Sequence, residues 1–210
     1  VTAAAAATAS APAGGLVPVS ASTGATEVAL VDTELRKLVA NDAFVFDFSS
    51  DLNQYVQPAS IDLPLPKKAW LVKEKVLPFQ KCVRDLLDNL ALDECSLEGD
   101  GAMLLRGQTY LVHCGRVTLP ATHRGLLSPK SSIGRVDLMV RGVVDQCGLY
   151  DIIDGGEQRE LWLEISPQSF NVRVKAGLAL TQLMVFADLG SSSDESVVSR
   201  PPSVPRPLVY

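Results

Sequence analysis

The sequence contains no apolar run near the ~18–20 residues that a membrane-spanning helix needs. It also lacks an excess of positive charge. Lys and Arg number 19 against 24 Asp and Glu, a net charge of −5, so nucleic acid has no basic footprint to meet. A polyanion could be held only in a local basic pocket. Cysteine is sparse and scattered: Cys82, Cys95, Cys114 and Cys147 form no C-x-x-C pair. That argues against a zinc ribbon and fits a reducing compartment, although spacing alone leaves a disulfide open. His113 and His123 are the only histidines, and neither opens an H-x-E triplet. The zinc-activated water built on H-x-E and C-x-x-C therefore has no ligands here. No G-x-S-x-G elbow, Walker loop or G-x-G-x-x-G occurs, so Ser–His–Asp catalysis and the common glycine-rich phosphate loops find no support.

Charge is also missing from residues 1–26, which are Ala, Ser, Thr, Gly and Pro with a few valines and a leucine. Such a leader is expected to be disordered. Val1 rather than Met at the start fits a processed product. The leader is similar to the end of an organelle transit peptide, and a plain flexible tail fits equally well. The expected compartment is the cytoplasm or an organelle stroma or matrix. Residues 188–210 return to Ser, Pro and scattered charge and read as a second tail.

What remains, residues 27–187, has one sizeable core's worth of chain. Overall hydrophobic content is 47% and charged content 20%. Val31, Leu35, Leu38 and Val39 recur at helical spacing, predicting a helix over 32–40 capped by Asp32 or Thr33. Phe79, Cys82, Val83, Leu86, Leu87 and Leu90 form a second helical stripe, with Pro78 where a first-turn proline is tolerated. Elsewhere the pattern is short β runs. Phe44, Phe46 and Phe48 alternate; so do Val136, Leu138 and Val140, then Leu161, Leu163 and Ile165, then Phe170, Val172 and Val174. The expectation is a mainly β fold, a sandwich, jelly roll or barrel, with two short helices.

Polar residues that could carry chemistry are few. Ser128-Pro129-Lys130-Ser131-Ser132-Ile133-Gly134-Arg135 packs two cations, two adjacent hydroxyls and a glycine into one short stretch. It is either an anion cradle, for which a polyphosphate is the natural guest, or a polar turn between strands. Glu164 sits mid-strand between Leu163 and Ile165. It faces solvent, the commoner situation, or a polar cavity where burial would raise its pKa and make it a usable base. Asp145 closes Gly142-Val143-Val144 and is a turn former or a holder of a hydroxyl or water. Gln182 is a solvent-facing glutamine or a nucleotide contact.

Taken in order, Gln57-Pro58-Ala59-Ser60-Ile61-Asp62-Leu63, Pro129-Lys130-Ser131-Ser132-Ile133-Gly134-Arg135, Leu163-Glu164-Ile165-Ser166-Pro167 and the run from Gly177 to Phe186 with Gln182 resemble the dCTP deaminase branch of the dUTPase superfamily. The similarity covers about residues 28–187 and looks closest to the first repeat of long, two-repeat bacterial deaminases. It implies a distorted jelly-roll β-barrel, assembled as a homotrimer or pseudo-trimer with sites between subunits. It implies a pyrimidine deoxynucleoside triphosphate bound with Mg²⁺ and a zinc-independent deamination of dCTP to dUTP and ammonia, with no metal ligated by protein side chains. By that resemblance Glu164 activates water, Ser131 positions the water and base, and Arg135 completes the constellation. Lys130 and Ser132 lie near the phosphates, and Val144 near the cytosine ring. Two departures stand out. Asp62-Leu63-Pro64-Leu65-Pro66 replaces an Asp-Leu-Arg-Leu-Gly pattern, and Val143-Val144 replace small or hydroxylated residues. Val144, Asp145 and Gln182 are expected with Lys130 and Ser132 to bind the substrate; the alternatives are a dUTP pyrophosphatase with Asp145 as base, or an inactive structural homologue.

Overall fold

The structure, a computed structural model, describes residues 27–48 and 51–188. The expected leader and all but the first residue of the expected tail lie outside the described residues. The chain runs β1 (Glu27–Ala29), α1 (Asp32–Ala40), β2 (Phe44–Phe46), a 3₁₀ turn (Leu52–Tyr55), β3 (Val56–Gln57), β4 (Ser60–Pro64) and β5 (Lys68–Val72). It continues through α2 (Val83–Leu90), β6 (Ala91–Ser96), β7 (Ala102–Leu104), β8 (Thr109–Thr118), β9 (His123–Pro129) and α3 (Ser131–Gly134). It closes with β10 (Leu138–Val144), β11 (Ile152–Asp154), β12 (Gln158–Pro167), β13 (Val172–Val174) and β14 (Ala179–Asp188).

Two antiparallel sheets face each other. The first has the order β11-β9-β14-β4-β3 with β1 added to β14; the second has β10-β12-β8-β5-β6 with β2 added to β8. β7 and β13 form a small separate ribbon. The mainly β expectation holds, with one addition: α3 is a third, single-turn helix. Between the sheets lies the main core, where Ile61, Leu63, Leu127, Leu183 and Val185 meet Val112, Val140, Leu161, Leu163 and Ile165. Each buried aliphatic chain contributes roughly 1.5–3 kcal/mol relative to exposure. The sheets approach closely where β10 crosses β9. A Cβ on Gly142 would stand 2.2 Å from Leu127 Cδ1 and 3.2 Å from Leu127 Cβ, so any side chain here would have to displace Leu127.

A second, smaller core covers the outer face of the second sheet. Val72, Leu111, Val143 and Trp162 are roofed there by Val76, Val83 and Leu87. β12 is therefore apolar on both faces. Leu161, Leu163 and Ile165 point into the main core and Trp162 into the second.

Helix α1 forms where expected, but its cap is Glu34, whose Oε2 accepts from the Val31 N–H at 3.1 Å. Helix α2 starts four residues later than the apolar stripe predicts. Phe79 is outside it, 64% exposed at φ 53°, and Cys82 is the extended N-cap residue. Tertiary bonds hold that preceding stretch: Phe79 N–H donates to Cys147 O at 3.1 Å and Gln146 N–H to Lys81 O at 3.0 Å. Likewise β10 starts at Leu138, after Asp137 at φ 48°, so Val136 is not a strand residue.

Candidate active site

Glu164 occupies the middle of β12, opposite Arg141 of β10 and Leu111 of β8. A β-bulge sets that register. Leu161 pairs with Gly115, but Trp162 pairs with His113, so Cys114 is the extra residue on β8. Gly115, at φ 126°, supplies a backbone that other residues adopt only with strain. The slip turns Tyr110, Val112 and Cys114 into the main core and leaves Leu111 in the second, beside Glu164.

The Glu164 carboxylate is only 2% exposed, so the commoner solvent-facing reading of this residue is wrong. Its Oε2 accepts from the Val76 N–H at 2.8 Å. Burial raises its pKa. The Val76 hydrogen bond and the charges of Lys75 and Arg141 pull it back down, while Asp151 pushes it up. Around it stand residues that sequence reasoning missed. The Arg141 guanidinium lies over the Tyr150 ring, 5.2 Å from its centroid. Asp151 Oδ1 accepts from Gly142 N–H at 2.6 Å, Asp151 N–H donates to Gly142 O at 2.9 Å, and Leu127 N–H donates to Asp151 O at 2.8 Å. Burial raises the Asp151 and Tyr150 pKa values too. One signal pointed to this cluster: Arg141 is the only charged residue of β10.

Two residue pairs along the same face, Asp145 is 6% exposed rather than a simple surface turn former. Its Oδ1 accepts from Val83 N–H at 2.9 Å, and Arg159 Nη1 donates to its backbone oxygen at 3.3 Å. Burial raises its pKa, and the Val83 and Cys82 hydrogen bonds oppose the rise. A cavity of about 160 Å³ opens beside it, lined among others by Cys82, Arg116, Arg159 and Glu160. Glu160 pairs with His113, and Arg84 Nη2 lies 3.7 Å away. Arg84 also sits 5.7 Å over Trp162, a buried indole whose N–H has no partner among the described residues.

The basic octet lies elsewhere. It begins at the end of β9, and Ser131–Gly134 make one helical turn. The Lys130 ammonium is paired with Asp62, while the Lys130 backbone N–H donates to Leu180 O at 3.0 Å. Gln182 of β14 stands in register between Ser128 and Asp62, half-buried. Ser131, Ser132 and Arg135 are exposed, and among the described residues their side chains make no hydrogen bond or ion pair within the chain. A Cβ on Gly134 would meet nothing within 4 Å, so the close backbone approach expected there does not occur inside this chain. Val144 is 3% exposed in the main core and does not offer its side chain to the Glu164 face. The structure thus groups Lys130, Gln182 and Asp62 on the first sheet and Glu164 with Arg141, Tyr150 and Asp151 on the second. It does not join the octet to Glu164 by any contact. Among the described residues no set of three His, Cys, Asp or Glu side chains converges as metal ligands.

A sequence model of the 2′-deoxycytidine 5′-triphosphate deaminase N-terminal domain matches residues 26–188, the whole of both sheets. The chain belongs to the dCTP deaminase family. A dCTP deaminase of Halorubrum lacusprofundi is 25% identical over 191 residues, covering 86% of this chain and 85% of its own. The crystal structure of 2′-deoxycytidine 5′-triphosphate deaminase from Agrobacterium tumefaciens superimposes with a TM-score of 0.72 at 35% identity. That match covers 77% of this chain and 49% of the Agrobacterium chain, so the present sequence spans about half the length of that relative. As a member of the dCTP deaminase family, the chain has named relatives that are enzymes acting on a cytosine nucleotide. No helix among its described residues is long and apolar enough to cross a membrane.

Proposed function

We propose that this chain deaminates dCTP, taking up water and releasing dUTP and ammonia, with Glu164 as the base. The observation that carries the reading is the buried Glu164 carboxylate with its pKa raised by burial. Such a group accepts a proton from water more readily than an exposed carboxylate does. Glu164 removes a proton from the water as its oxygen adds to cytosine C4, then returns it to the departing amino nitrogen, while the added hydroxyl's remaining proton ends on N3 as C4 becomes a carbonyl. The C4–N4 bond breaks and ammonia leaves. A positioned base of this kind is typically worth ~10²–10⁴ in rate.

Ser131 and Arg135 complete this site, with Lys130, Ser132 and Gln182 on the nucleotide. Within one chain they make no contact with Glu164, and the exposure of Ser131, Ser132 and Arg135 supports a homotrimer or pseudo-trimer in which the octet of one copy faces Glu164 of another. Mg²⁺ would ride on the triphosphate, its usual mode, since it needs few protein ligands there. The test is incubation with dCTP and with dUTP in Mg²⁺, with chromatography of products. Conversion of dCTP to dUTP supports the reading.

One observation favours a second reading. Asp145 lines a cavity with Arg116 and Arg159, and burial raises its pKa. A dUTP pyrophosphatase using Asp145 as base would release dUMP from dUTP in the same assay. A folded chain that yields neither product would be a structural homologue.

A further inference from the structure

Arg141 stands directly across the β10–β12 ladder from Glu164, on the same face of the sheet. Its backbone is fixed by that ladder and its side chain by the Tyr150 ring, 5.2 Å from the guanidinium carbon. Tyr150 is itself held in place, because the neighbouring Asp151 is bonded twice to Gly142 and once to Leu127. A guanidinium beside a buried carboxylate would ordinarily close an ion pair. Here it does not: among the described residues Arg141 forms no hydrogen bond and no ion pair, and its side chain is exposed. The Glu164 oxygen is bonded instead to the Val76 N–H. The molecule therefore carries a planar fork of five N–H donors, oriented but unspent, on the strand position paired with Glu164.

A donor-only fork discriminates between pyrimidines. Cytosine presents two adjacent acceptors, N3 and O2, on one edge. Uracil presents a donor, N3–H, where cytosine has its N3 lone pair. We propose that Arg141 is a specificity residue of this site, donating to the N3/O2 edge of a cytosine ring whose C4 faces Glu164. The assignment rests on the deaminase reading above. It adds what that reading leaves open, namely how substrate is told from product. As water adds to C4, electron density moves to N3, so the same hydrogen bond strengthens along the reaction. The product loses it, because uracil N3–H and the guanidinium would meet donor to donor.

The experiment compares the wild-type chain with Arg141→Met and Arg141→Lys for dCTP turnover. It also compares the affinities of dCTP and dUTP in the Glu164→Gln background, where no turnover intervenes. Losing a charge-assisted hydrogen bond predicts a fall of about 10- to 100-fold in kcat/KM for dCTP with Arg141→Met. Arg141→Lys recovers part of it, since an ammonium still donates but lacks the fork. The decisive readout is the affinity ratio: Arg141→Met weakens dCTP more than dUTP, because the two bases share the O2 acceptor and differ at N3. Tyr150→Leu, which frees the guanidinium, moves the ratio in the same direction. Equal loss of both nucleotides would make Arg141 a general anion contact and overturn the proposal, as would unchanged turnover and ratio. A chain that turns over no dCTP but still prefers it to dUTP through Arg141 would sink the deaminase reading and keep this one. A chain that binds neither nucleotide would sink both. Because Arg141 is exposed, a melting curve for each variant checks that the fold is intact.

Discussion

Glu164 shows how much one carboxylate's surroundings decide. Flanked by Leu163 and Ile165 it reads as an exposed strand residue, because a strand with one apolar face puts its polar residues in water. That inference fails when both faces are covered, and β12 has a core on each side. Two predictions belong at this scale. Glu164→Gln should lower dCTP deamination by at least ~10²-fold while leaving dCTP affinity largely intact, as product chromatography and calorimetry would show. The second concerns pH. A carboxyl whose folded pKa is raised binds its proton more tightly in the native state than in the unfolded chain. Stability is then greatest below the unfolded value, about 4.3, and falls as pH rises through the folded value. Glu164 follows this sign, as do Asp145 and Asp151. The Gln side chain is uncharged and can still accept from Val76. Glu164→Gln should therefore melt higher than wild type at neutral pH, with the gap closing as pH falls towards the ordinary carboxylate range. A gap that is constant with pH would show that Glu164 is not destabilised by its charge. The charges of Lys75, Arg141 and Asp151 act on this carboxyl, and it acts on Tyr150, so each is a lever on the same curve.

At the scale of elements, the bulge on β8 does more for the site than any helix does. It shifts pairing by one residue and so decides that Leu111 and His113, rather than Val112, share a face with Glu164 and Trp162. A Cβ on Gly115 would stand 2.3 Å from Val45 O and 2.7 Å from Phe46 Cα, at a φ that side chains resist. Gly115→Ala should cost roughly 1–3 kcal/mol in a urea titration and lower activity with it. An unaltered midpoint would mean that β2 yields easily. Sequence patterns carried the elements unevenly. The Val31–Leu35–Leu38–Val39 spacing located α1, whose only backbone bond to a distant segment among the described residues, Asp32 N–H to Pro58 O at 3.0 Å, falls at its first residue, where no intrahelical partner is lost. The stripe from Phe79 to Leu90 overshot. Asp145 takes the Val83 N–H, and Cys147 takes the Phe79 N–H. These are long-range bonds that no local pattern contains. The short run Ile152–Asp154 escaped notice because its strand character comes from pairing with β9, not from its own alternation. The octet and Glu164 were both legible as chemistry, by residue type and spacing. Their neighbours were not, because Arg141, Tyr150 and Lys75 reach Glu164 only once β10 and the Val72–Val83 connection fold over β12.

Across the whole molecule, the two functional groupings face away from each other's sheets, and the proposed site needs them in different copies. This makes a mixing experiment informative. If Glu164→Gln and Arg135→Ala each lose activity alone, as the proposed roles require, they should regain part of the wild-type rate when unfolded and refolded together, because some shared sites then hold both intact residues. No recovery would place a complete site in each chain or remove one of the two residues from it. Nucleotide binding should also be visible in melting: dCTP with Mg²⁺ at ~100 times its dissociation constant adds ~2.7 kcal/mol, and an inert scaffold would not shift. One further consequence follows from the segment that roofs the second core. Its Val76 and Val83 amides each end on a carboxylate of the sheet below, Glu164 and Asp145. These two protons are spaced along one connection, so in deuterium they should exchange at matched rates and be released in the same opening event. When that segment lifts, both candidate bases lose their hydrogen bonds together.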